Sequence, residues 1–259
     1  MLPPPSSAAR TPPRAEIIMK IDINCDMGEN VGHDEDIMPY ITSANIACGF
    51  HAGDEMSMRT TVRLAKRYRV AVGAHPGWKD MEGFGRREMS LSQDEVKALV
   101  LYQIGALYAI AKAEGLELHH VKPHGALYNQ AAKDKLLASA IAGAVKRFSV
   151  DLILVGLAGS GLIEAGIEAG LRVAREGFPD RNYNPDGTLV SRKQANAVIQ
   201  SSEDIAIHAV KLARQGIDID GRHIHIDSLC LHGDHPLAAQ NAKWAREALE
   251  KSGIDVSVL

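Results

Sequence analysis

Short apolar segments alternate with longer amphipathic segments from Met19 to the end of the chain. In the first, MKIDINCD, apolar residues alternate with Asp22, Asn24 and Asp26, a period of two that is typical of a β-strand. Further strands are predicted in ITSANIACGFH, RVAVGAH, LHHVKPHG, DLILVGLAG, LRVAREG and HIDSLCLHGD. Helical spacing and capping residues predict helices over residues 55–68 and in SLSQDEVKALVLYQIGALYAIAKAEG, YNQAAKDKLLASAIAGAVKRF and PLAAQNAKWAREALEKSG.

Strands that alternate with helices favour a parallel sheet with right-handed crossovers. Seven predicted strands in this order favour an α/β fold of the TIM-like (β/α)7 type, closed into a barrel, and we predict one such domain over residues 19–259. The Asp-Gly turn in DIDGRHIHI predicts a small hairpin, and the terminal DVSVL predicts a short extra strand. Residues 1–18 are rich in proline and lack the apolar segment of a secretory signal, so we predict a disordered extension.

The composition narrows the class of protein. It is 46% hydrophobic and 24% charged, with a net charge of -3 and no cluster of lysine or arginine, which argues against a nucleic-acid-binding surface. No apolar run reaches the roughly 18 residues of a membrane span. Cys25, Cys48 and Cys230 are far apart, which indicates neither a disulfide framework nor a structural zinc site. We therefore expect a cytoplasmic protein that acts neither on a membrane nor on nucleic acid.

Polar residues recur on one face of six predicted strands, near the carboxyl ends. Because side chains alternate between the two faces of a strand, these residues are expected to point into the barrel. They are Asp22, Asn24, Asp26, Asn45, His51, His75, His120, Lys122, His124, Glu176, His232 and Asp234. One inward histidine is more often a hydrogen-bonded core residue, but agreement among six strands indicates an active site at the end where barrels carry theirs. An inward lysine is expected to meet a carboxylate or an anionic substrate.

Two glycine-rich loops are further candidates. GWKDMEGFGRRE contains Arg86 and Arg87, which would either clamp a carboxylate or phosphate or lie as solvated surface charges. GLAGSGL is either a phosphate-binding loop or a plain turn from strand to helix, and it lacks the lysine of a P-loop.

Nine segments together resemble the motifs of the LamB/YcsF family: DINCDMGE, SANIACGFHAGD, GAHPGW, GFGRREM, HVKPHGALYN, GLAGSGL, FPDRNY, GTLVSR and CLHGDHP. The resemblance covers residues from about Lys20 to Leu259 and departs from the usual family residues at Glu55, Trp78, Pro179 and Asn196. It implies a seven-stranded barrel related to glycoside hydrolase and deacetylase barrels. Characterised members are A subunits of prokaryotic ATP-dependent 5-oxoprolinase, so it also implies ring opening of 5-oxo-L-proline to L-glutamate, with ATP as co-substrate and with separate B and C subunits.

Hydrolysis of this lactam needs a base for water, an acid for the leaving nitrogen, cations for the developing negative charge and an anchor for the substrate carboxylate. We predict that Asp26 or His51 is the base and that His124 or His232 is the acid. The predicted catalytic residues are Asp26, His51, Lys122, His124, His232 and Asp234. The predicted substrate-binding residues are Asn24, Asn45, His75, Arg86, Glu176 and Arg181.

A divalent metal ion is an alternative use of the same histidines. Asp26, His51, His75 and His124 offer nitrogen and oxygen ligands of the kind that zinc or manganese accepts, although histidines at barrel strand ends serve acid–base catalysis equally well. The absence of a Walker-type loop favours partner subunits as the source of the ATP chemistry. Two other functions stay open, a stand-alone metal-dependent hydrolase or deacetylase and a non-catalytic substrate-binding subunit, and so does a homo-oligomer.

Overall fold

The computed structural model describes residues 19–31, 33–191, 194–233 and 235–259. Seven parallel strands form its central sheet: β1 (Lys20–Met27), β2 (Ser43–Ala47), β3 (Ala71–His75), β4 (Leu118–Val121), β5 (Ile153–Leu157), β6 (Arg172–Gly177) and β9 (Ser228–Leu231). The first strand pairs with β2 on one side and with β9 on the other, which closes the sheet into a barrel. The predicted seven-stranded barrel is confirmed. The predicted extension, residues 1–18, lies outside the described residues.

Eight helices surround the strands within the described ranges: α1 (Asp34–Ile37), α2 (Glu55–Tyr68), α3 (Gln93–Ala113), α4 (Gly125–Ala131), α5 (Lys135–Phe148), α6 (Gly161–Glu168), α7 (Ser202–Gln215) and α8 (Ala238–Lys251). The single helix predicted in YNQAAKDKLLASAIAGAVKRF is wrong in one respect, because it is divided into α4 and α5. The carboxylate of Asp134 accepts hydrogen bonds from the N–H groups of Leu136 and Leu137 and so starts a new helix. Helices α6 and α7 are present in the structure but were not predicted from the periodicity of the sequence.

Alternation along the strands separates an apolar outer face from a largely polar interior. In β1, Ile21 and Ile23 are fully buried under the surrounding helices, and burial of each such side chain contributes roughly 1.5–3 kcal/mol. On β5 and β6 the interior is filled by Ile153, Val155 and Ala174. Most other interior side chains are polar, and they form a connected group of hydrogen-bonding side chains inside the closed barrel.

Two short features complete the fold. The predicted hairpin is present as β7 (Ile217–Ile219) and β8 (Arg222–Ile224), and the predicted terminal strand is present as β10 (Asp255–Val256), which pairs with the start of β1.

One helix meets the length and hydropathy criteria for a membrane span, although the sequence had indicated no such segment. Helix α3 has 21 residues and is apolar enough, by length and composition alone, to cross a bilayer. In the fold it starts at a capping box on Ser92 and buries Val96, Val100, Ile104 and Leu107 against the barrel. Its apolar character is that of a barrel helix with one buried face.

Candidate active site

Lys122 lies at the centre of the barrel interior, one residue beyond β4, and is only 3% exposed. Its Nζ atom lies 2.9 Å from Asp26 Oδ1, 2.9 Å from Glu176 Oε1 and 3.0 Å from Cys230 Sγ. Of the two partners expected for an inward lysine, a carboxylate or an anionic substrate, the structure shows carboxylates. An ammonium group has three N–H donors, and protein acceptors already engage them. Lys122 therefore holds two carboxylates in place, and its role as a direct partner of a substrate anion receives no support from this geometry.

The charges of this central group are tightly coupled. Burial alone would raise the pKa of Asp26, but the neighbouring His75 and the Lys122 ammonium hold that pKa well below its usual range. Burial would likewise lower the pKa of Lys122, but the Asp26 carboxylate and the groups around it raise that pKa well above its usual range. Asp26 is therefore an ionised carboxylate inside the barrel.

The amide side chains of Asn24 and Asn45 donate hydrogen bonds to these carboxylates. Asn45 donates from Nδ2 to Asn24 Oδ1 at 2.7 Å and to Asp26 Oδ1 at 2.8 Å, and its own Oδ1 lies 2.8 Å from His120 Nε2. Since an amide oxygen only accepts, His120 carries its hydrogen on Nε2. Glycine at position 73 makes room for this ring, because a Cβ there would lie 2.1 Å from His120 Nε2.

Glu176 joins this network from the opposite strand. Its Oε1 accepts from Lys122 and, at 2.9 Å, from Asn24 Nδ2, while its Oε2 accepts from the hydroxyl of Tyr128 at 2.7 Å. Burial, followed by the Glu176 charge, raises the pKa of Tyr128 well above its usual range. Tyr128 is thus a neutral hydrogen-bond donor. Together these contacts fix Glu176 as a structural counter-charge to Lys122.

Beside this group, one glutamate and three histidines converge at the mouth of the barrel. Glu29, His51, His75 and His124 each offer a ligand atom, and these atoms lie within 4.8 Å of one another. Glu29 Oε1 lies 3.3 Å from His51 Nε2, 3.3 Å from His124 Nδ1 and 3.8 Å from His75 Nε2. The rings of His51 and His124 stack at a centroid distance of 3.8 Å. We call these four residues the histidine cluster.

Backbone contacts fix which nitrogen of two rings faces the cluster. His75 Nδ1 lies 2.7 Å from the carbonyl oxygen of Lys122, and His124 Nε2 lies 2.8 Å from the carbonyl oxygen of Phe84. A carbonyl oxygen only accepts, so both of these nitrogens carry hydrogen. Burial, and then the adjacent histidines, hold the pKa of His124 well below its usual range, so its Nδ1 presents a lone pair to the cluster.

The histidine cluster fits a divalent cation. The Nδ1 lone pair of His124 and His75 Nε2 lie 3.0 Å apart beside the Glu29 carboxylate, and such a group of acceptors requires a proton or a metal ion between its members. Imidazole nitrogens with one carboxylate are ligands that zinc and related metals accept.

A histidine–aspartate pair occupies another part of the mouth. His232 Nδ1 lies 2.6 Å from Asp180 Oδ2, and its ring stacks on Phe178 at a centroid distance of 5.6 Å. Phe178 in turn lies under the Lys122 ammonium, 5.7 Å from its ring centroid. The His232 side chain is 16% exposed, which leaves its ring accessible from the mouth. A carboxylate on Nδ1 fixes the orientation of the ring.

The sequence profile of the LamB/YcsF family matches residues 21–259. The chain belongs to the LamB/YcsF family. It is similar to the 5-oxoprolinase A subunit of Pyrococcus furiosus, with 51% identity over 247 residues, which are 92% of this chain and 97% of the relative. The resemblance inferred from nine motifs is thereby confirmed.

Solved structures agree with this family assignment. The lactam utilization protein from Thermus thermophilus superposes with a TM-score of 0.86 at 48% identity, over 93% of this chain and 100% of that chain. A putative cellobiose-phosphate cleavage protein from Enterococcus faecalis superposes with a TM-score of 0.57 at 14% identity, over 93% of this chain and 97% of that chain. The second likeness shows that the barrel of this family is shared with proteins of very different sequence.

The structure brings together most of the site residues predicted for this LamB/YcsF protein. Asn24, Asp26, Asn45, His51, His75, Lys122, His124, Glu176 and His232 all belong to the connected groups just described. Within the cluster, however, the carboxylate is Glu29, whereas Asp26, the predicted metal candidate, is paired with Lys122. Asp234 lies outside the described residues.

The three predicted or candidate arginines have different surroundings. Arg86 is exposed at the mouth, with its guanidinium 5.1 Å from the Phe84 ring centroid. Arg87 does clamp a carboxylate, but it is that of Asp80. Arg181 is buried and donates to the carbonyl oxygens of Val190 at 2.6 Å and Ala197 at 3.2 Å, so these donors anchor the loop that follows β6.

The contacts of the GLAGSGL segment are those of a plain turn from strand to helix, the second of the two alternatives. Ser160 caps helix α6 through the N–H of Ile163, and a Cβ on Gly159 would lie 2.7 Å from the side chain of Ile219 in the hairpin. The close approach of the hairpin explains why glycine is needed at the turn.

Three residues of the site, Glu29, Tyr128 and Asp180, were not among the predicted ones. Each lies after a strand has ended: Glu29 two residues beyond β1, Tyr128 in α4 and Asp180 three residues beyond β6. All three also lie outside the segments that were predicted as strands, and inward and outward faces were assigned only within those segments. Their presence in DINCDMGE, HVKPHGALYN and FPDRNY was the only signal.

Proposed function

We propose that this chain is the hydrolytic subunit of a 5-oxoprolinase, which opens the lactam ring of 5-oxo-L-proline to give L-glutamate. The observation that carries the proposal is the buried group of Asp26, Lys122 and Glu176 beside the histidine cluster, in a chain about half identical to proteins named as the A subunit of 5-oxoprolinase. A buried, charged centre of this kind suits hydrolysis of an unstrained amide, because it holds acid, base and electrostatic groups away from bulk solvent.

ATP and partner subunits belong to the same proposal. A lactam is resonance-stabilised like a peptide bond, so its opening is driven forward when ATP first phosphorylates the carbonyl oxygen and makes the carbonyl carbon a better electrophile. This chain has no Walker-type loop, and we assign the phosphoryl chemistry to separate B and C subunits. The relatives are named as A subunits, which supports such an assembly. The three cysteines are buried and unpaired, which is compatible with a reducing cytoplasm.

Asp26 is the proposed base for water. The sequence left Asp26 and His51 as alternatives, but the His51 ring is packed into the histidine cluster, whereas Asp26 is an ionised carboxylate at the end of β1. Asn45 and Lys122 occupy Oδ1 of Asp26, and Oδ2 lies 3.3 Å from His75 Nε2 at the edge of the cluster. Oδ2 is therefore the oxygen placed to accept a proton.

His232 is the proposed acid for the leaving nitrogen. The alternative, His124, donates from Nε2 to Phe84 and directs Nδ1 into the cluster, so neither of its nitrogens is directed at a substrate. Among the described residues, His232 has its hydrogen-bond partner, Asp180, on Nδ1. Phe178, stacked between the His232 ring and Lys122, limits water on that side of the mouth.

Glu29, His51, His75 and His124 would hold a divalent metal. Such an ion would polarise the substrate carbonyl and lower the pKa of a bound water. The protein's own contribution is to orient the ligand atoms through the carbonyl groups of Lys122 and Phe84 and to keep the site buried. At the rim, Arg86 is the proposed anchor of the substrate carboxylate, because a guanidinium pairs with a carboxylate through two parallel hydrogen bonds.

One assay tests the proposal. Glutamate formation and ATP hydrolysis that depend on 5-oxoproline are measured with this chain alone, with candidate B and C subunits, and with Asp26→Asn in the same complex, each with and without a chelator. Activity only in the complex, lost in Asp26→Asn, supports the proposal. Turnover of Asp26→Asn equal to that of the wild type would instead assign a non-catalytic, substrate-binding role.

The histidine cluster also favours a second candidate, a stand-alone metal-dependent hydrolase. That function predicts metal-dependent hydrolysis of an amide or acetylated sugar by this chain alone, without ATP. Such an activity, in the absence of 5-oxoproline turnover by the complex, would replace the first proposal.

A further inference from the structure

The loop between β3 and α3 passes directly over the histidine cluster. We call residues 80–87 the strap. Its residue Phe84 accepts the hydrogen bond from His124 Nε2 on its carbonyl oxygen, at 2.8 Å. The Phe84 ring also meets the rings of His51 and His124 edge-on, at centroid distances of 5.9 Å and 5.4 Å. The strap therefore covers the stacked rings of His51 and His124.

The backbone of the strap lies so close to these rings that there is no room for a side chain at Gly85. Gly85 has a φ of +65°, and a Cβ on it would lie 2.7 Å from His51 Cβ and 2.8 Å from His124 Cδ2. Its carbonyl oxygen accepts from the N–H of Ala126 at 2.9 Å, which joins the strap to the first turn of α4. Any displacement of the strap therefore moves the carbonyl that holds His124.

The backbone conformation of Phe84 is one that its own side chain disfavours. Its φ is +53°, a left-handed conformation that a residue with a large side chain rarely adopts. A strained residue of this kind persists only where the surrounding structure determines it, and such residues concentrate at functional sites. One buried side chain holds the strap in place.

Asp80 is that group. Its buried carboxylate accepts from the N–H of Gly83 at 3.0 Å, from the N–H of Arg87 at 3.2 Å and from Arg87 Nε at 2.7 Å. Its own N–H donates to the carbonyl oxygen of Phe50, and its carbonyl oxygen accepts from the N–H of Gly85. One side chain therefore joins both ends of the strap and closes it into a loop.

We propose that Asp80 is a positioning residue for the histidine cluster: by closing the strap on Arg87, it sets the Phe84 carbonyl that keeps hydrogen on His124 Nε2 and leaves Nδ1 to face Glu29 and His75. The effect on metal binding rests on the proposed metal site, whereas the effect on the His124 ring does not. Groups that orient a ligating histidine typically change metal affinity by about 10–100-fold when removed.

The experiment compares Asp80→Asn with Glu82→Gln in the full chain. Glu82 is a matched control, because it is a carboxylate of the same strap that also faces Arg87, at 3.4 Å, but its side chain is exposed. Long-range ¹H–¹⁵N NMR of the imidazole rings in metal-free protein reports which His124 nitrogen carries hydrogen, with His124→Gln to assign the signal. Competition with a chromophoric chelator then gives the dissociation constants of Zn²⁺ and Mn²⁺.

The wild type and Glu82→Gln are expected to show hydrogen on His124 Nε2 alone and equal metal affinities. Asp80→Asn is expected to show a mixture of the two His124 tautomers and an affinity weaker by about 10–100-fold. A folded Asp80→Asn with the wild-type tautomer overturns the proposal. If Asp80→Asn does not fold, Arg87→Gln opens the strap from its other end and decides in the same way. If no variant binds metal, the proposed metal site fails, and the tautomer comparison still decides the role of Asp80.

Discussion

Nε2 of His75 lies 3.0 Å from Nδ1 of His124, and each ring directs its other nitrogen to a backbone carbonyl oxygen. One of these carbonyl groups, that of Lys122, directly follows β4, and the other, that of Phe84, lies in the loop between β3 and α3; together they fix the orientation of the two rings. Glu29 closes the group from the loop after β1. This relationship, together with the carboxylate–lysine group beside it, leads to five predictions.

Metal binding should depend on the histidine cluster. Dialysed protein is expected to take up one equivalent of Zn²⁺ or Mn²⁺, and His51→Gln or His124→Gln should abolish this uptake because each removes a ligand and the geometry of the others. Elemental analysis and calorimetric titration measure it. His223→Gln, in the exposed hairpin, is the control and should bind like the wild type. Equal uptake by all variants would place the metal elsewhere.

Lys122→Met should unfold more easily. It leaves Asp26 and Glu176 in the interior without their shared cation, which typically costs about 3–5 kcal/mol. Urea denaturation at pH 7 measures the free energy of unfolding. The double variant Lys122→Met/Glu176→Gln should recover part of the loss, because one buried charge is gone.

An exposed ion pair provides the control for Lys122. Lys97→Met breaks the pair of Lys97 with Asp94 on α3, and the expected change is below about 1 kcal/mol. Equal stabilities of Lys122→Met and Lys97→Met would contradict the account of a coupled buried group.

Asp180→Asn should impair catalysis rather than binding. Without the carboxylate on Nδ1, His232 loses its orientation as an acid, and kcat of the assembled enzyme is expected to fall by roughly 10²–10⁴-fold with little change in KM. Steady-state kinetics of glutamate formation measure both. Asp186→Asn is the control, since this exposed carboxylate of the same loop contacts Thr188 and not the site. A parallel rise of KM with unchanged kcat would point to a role in binding.

His120 should make the protein less stable in mild acid. Burial first, and then the neighbouring charges, lower the pKa of His120 to about 3, whereas an unfolded histidine has a pKa of about 6.5. Between these values the unfolded chain binds a proton that the folded chain does not, so stability is lost as the pH falls from 6.5 towards 3, by up to about 1.4 kcal/mol per pH unit. His120→Gln keeps a donor to Asn45 and should flatten this slope in urea denaturation between pH 7 and 4. An unchanged slope would exclude His120 as its source.

Gly73→Ala should disturb the barrel interior. The added methyl group would lie 2.1 Å from His120 Nε2 and displace the ring from Asn45, at an overpacking cost of about 1–3 kcal/mol. Gly105→Ala in α3 meets nothing within 4 Å and should instead gain up to about 1 kcal/mol from helix propensity. Thermal denaturation of both variants measures the difference. A stabilised Gly73→Ala would show that the interior has room that the contacts do not reveal.

Periodicity predicted most of the fold. The alternation in β1 placed Asp22, Asn24 and Asp26 inside, and the order of strands and helices indicated the closed barrel. These features follow from the chain's local geometry, because a strand alternates its faces whatever surrounds it. The break between α4 and α5 was missed, since a capping residue such as Asp134 is a weak signal inside an apolar helical pattern.

The sequence by itself determined which strands deliver polar groups to the barrel mouth, and that Lys122 needs a carboxylate or an anionic substrate as its partner. Only the tertiary structure decided the partners. It paired Asp26 with Lys122, placed Glu29 among the histidines and joined Asp180 to His232. Glu29 and Asp180 lie in loops, where the path of the chain is set by long-range packing and not by a local period. The choice among neighbouring carboxylates depends on distances of about an ångström, which closure of the barrel sets and a strand pattern does not.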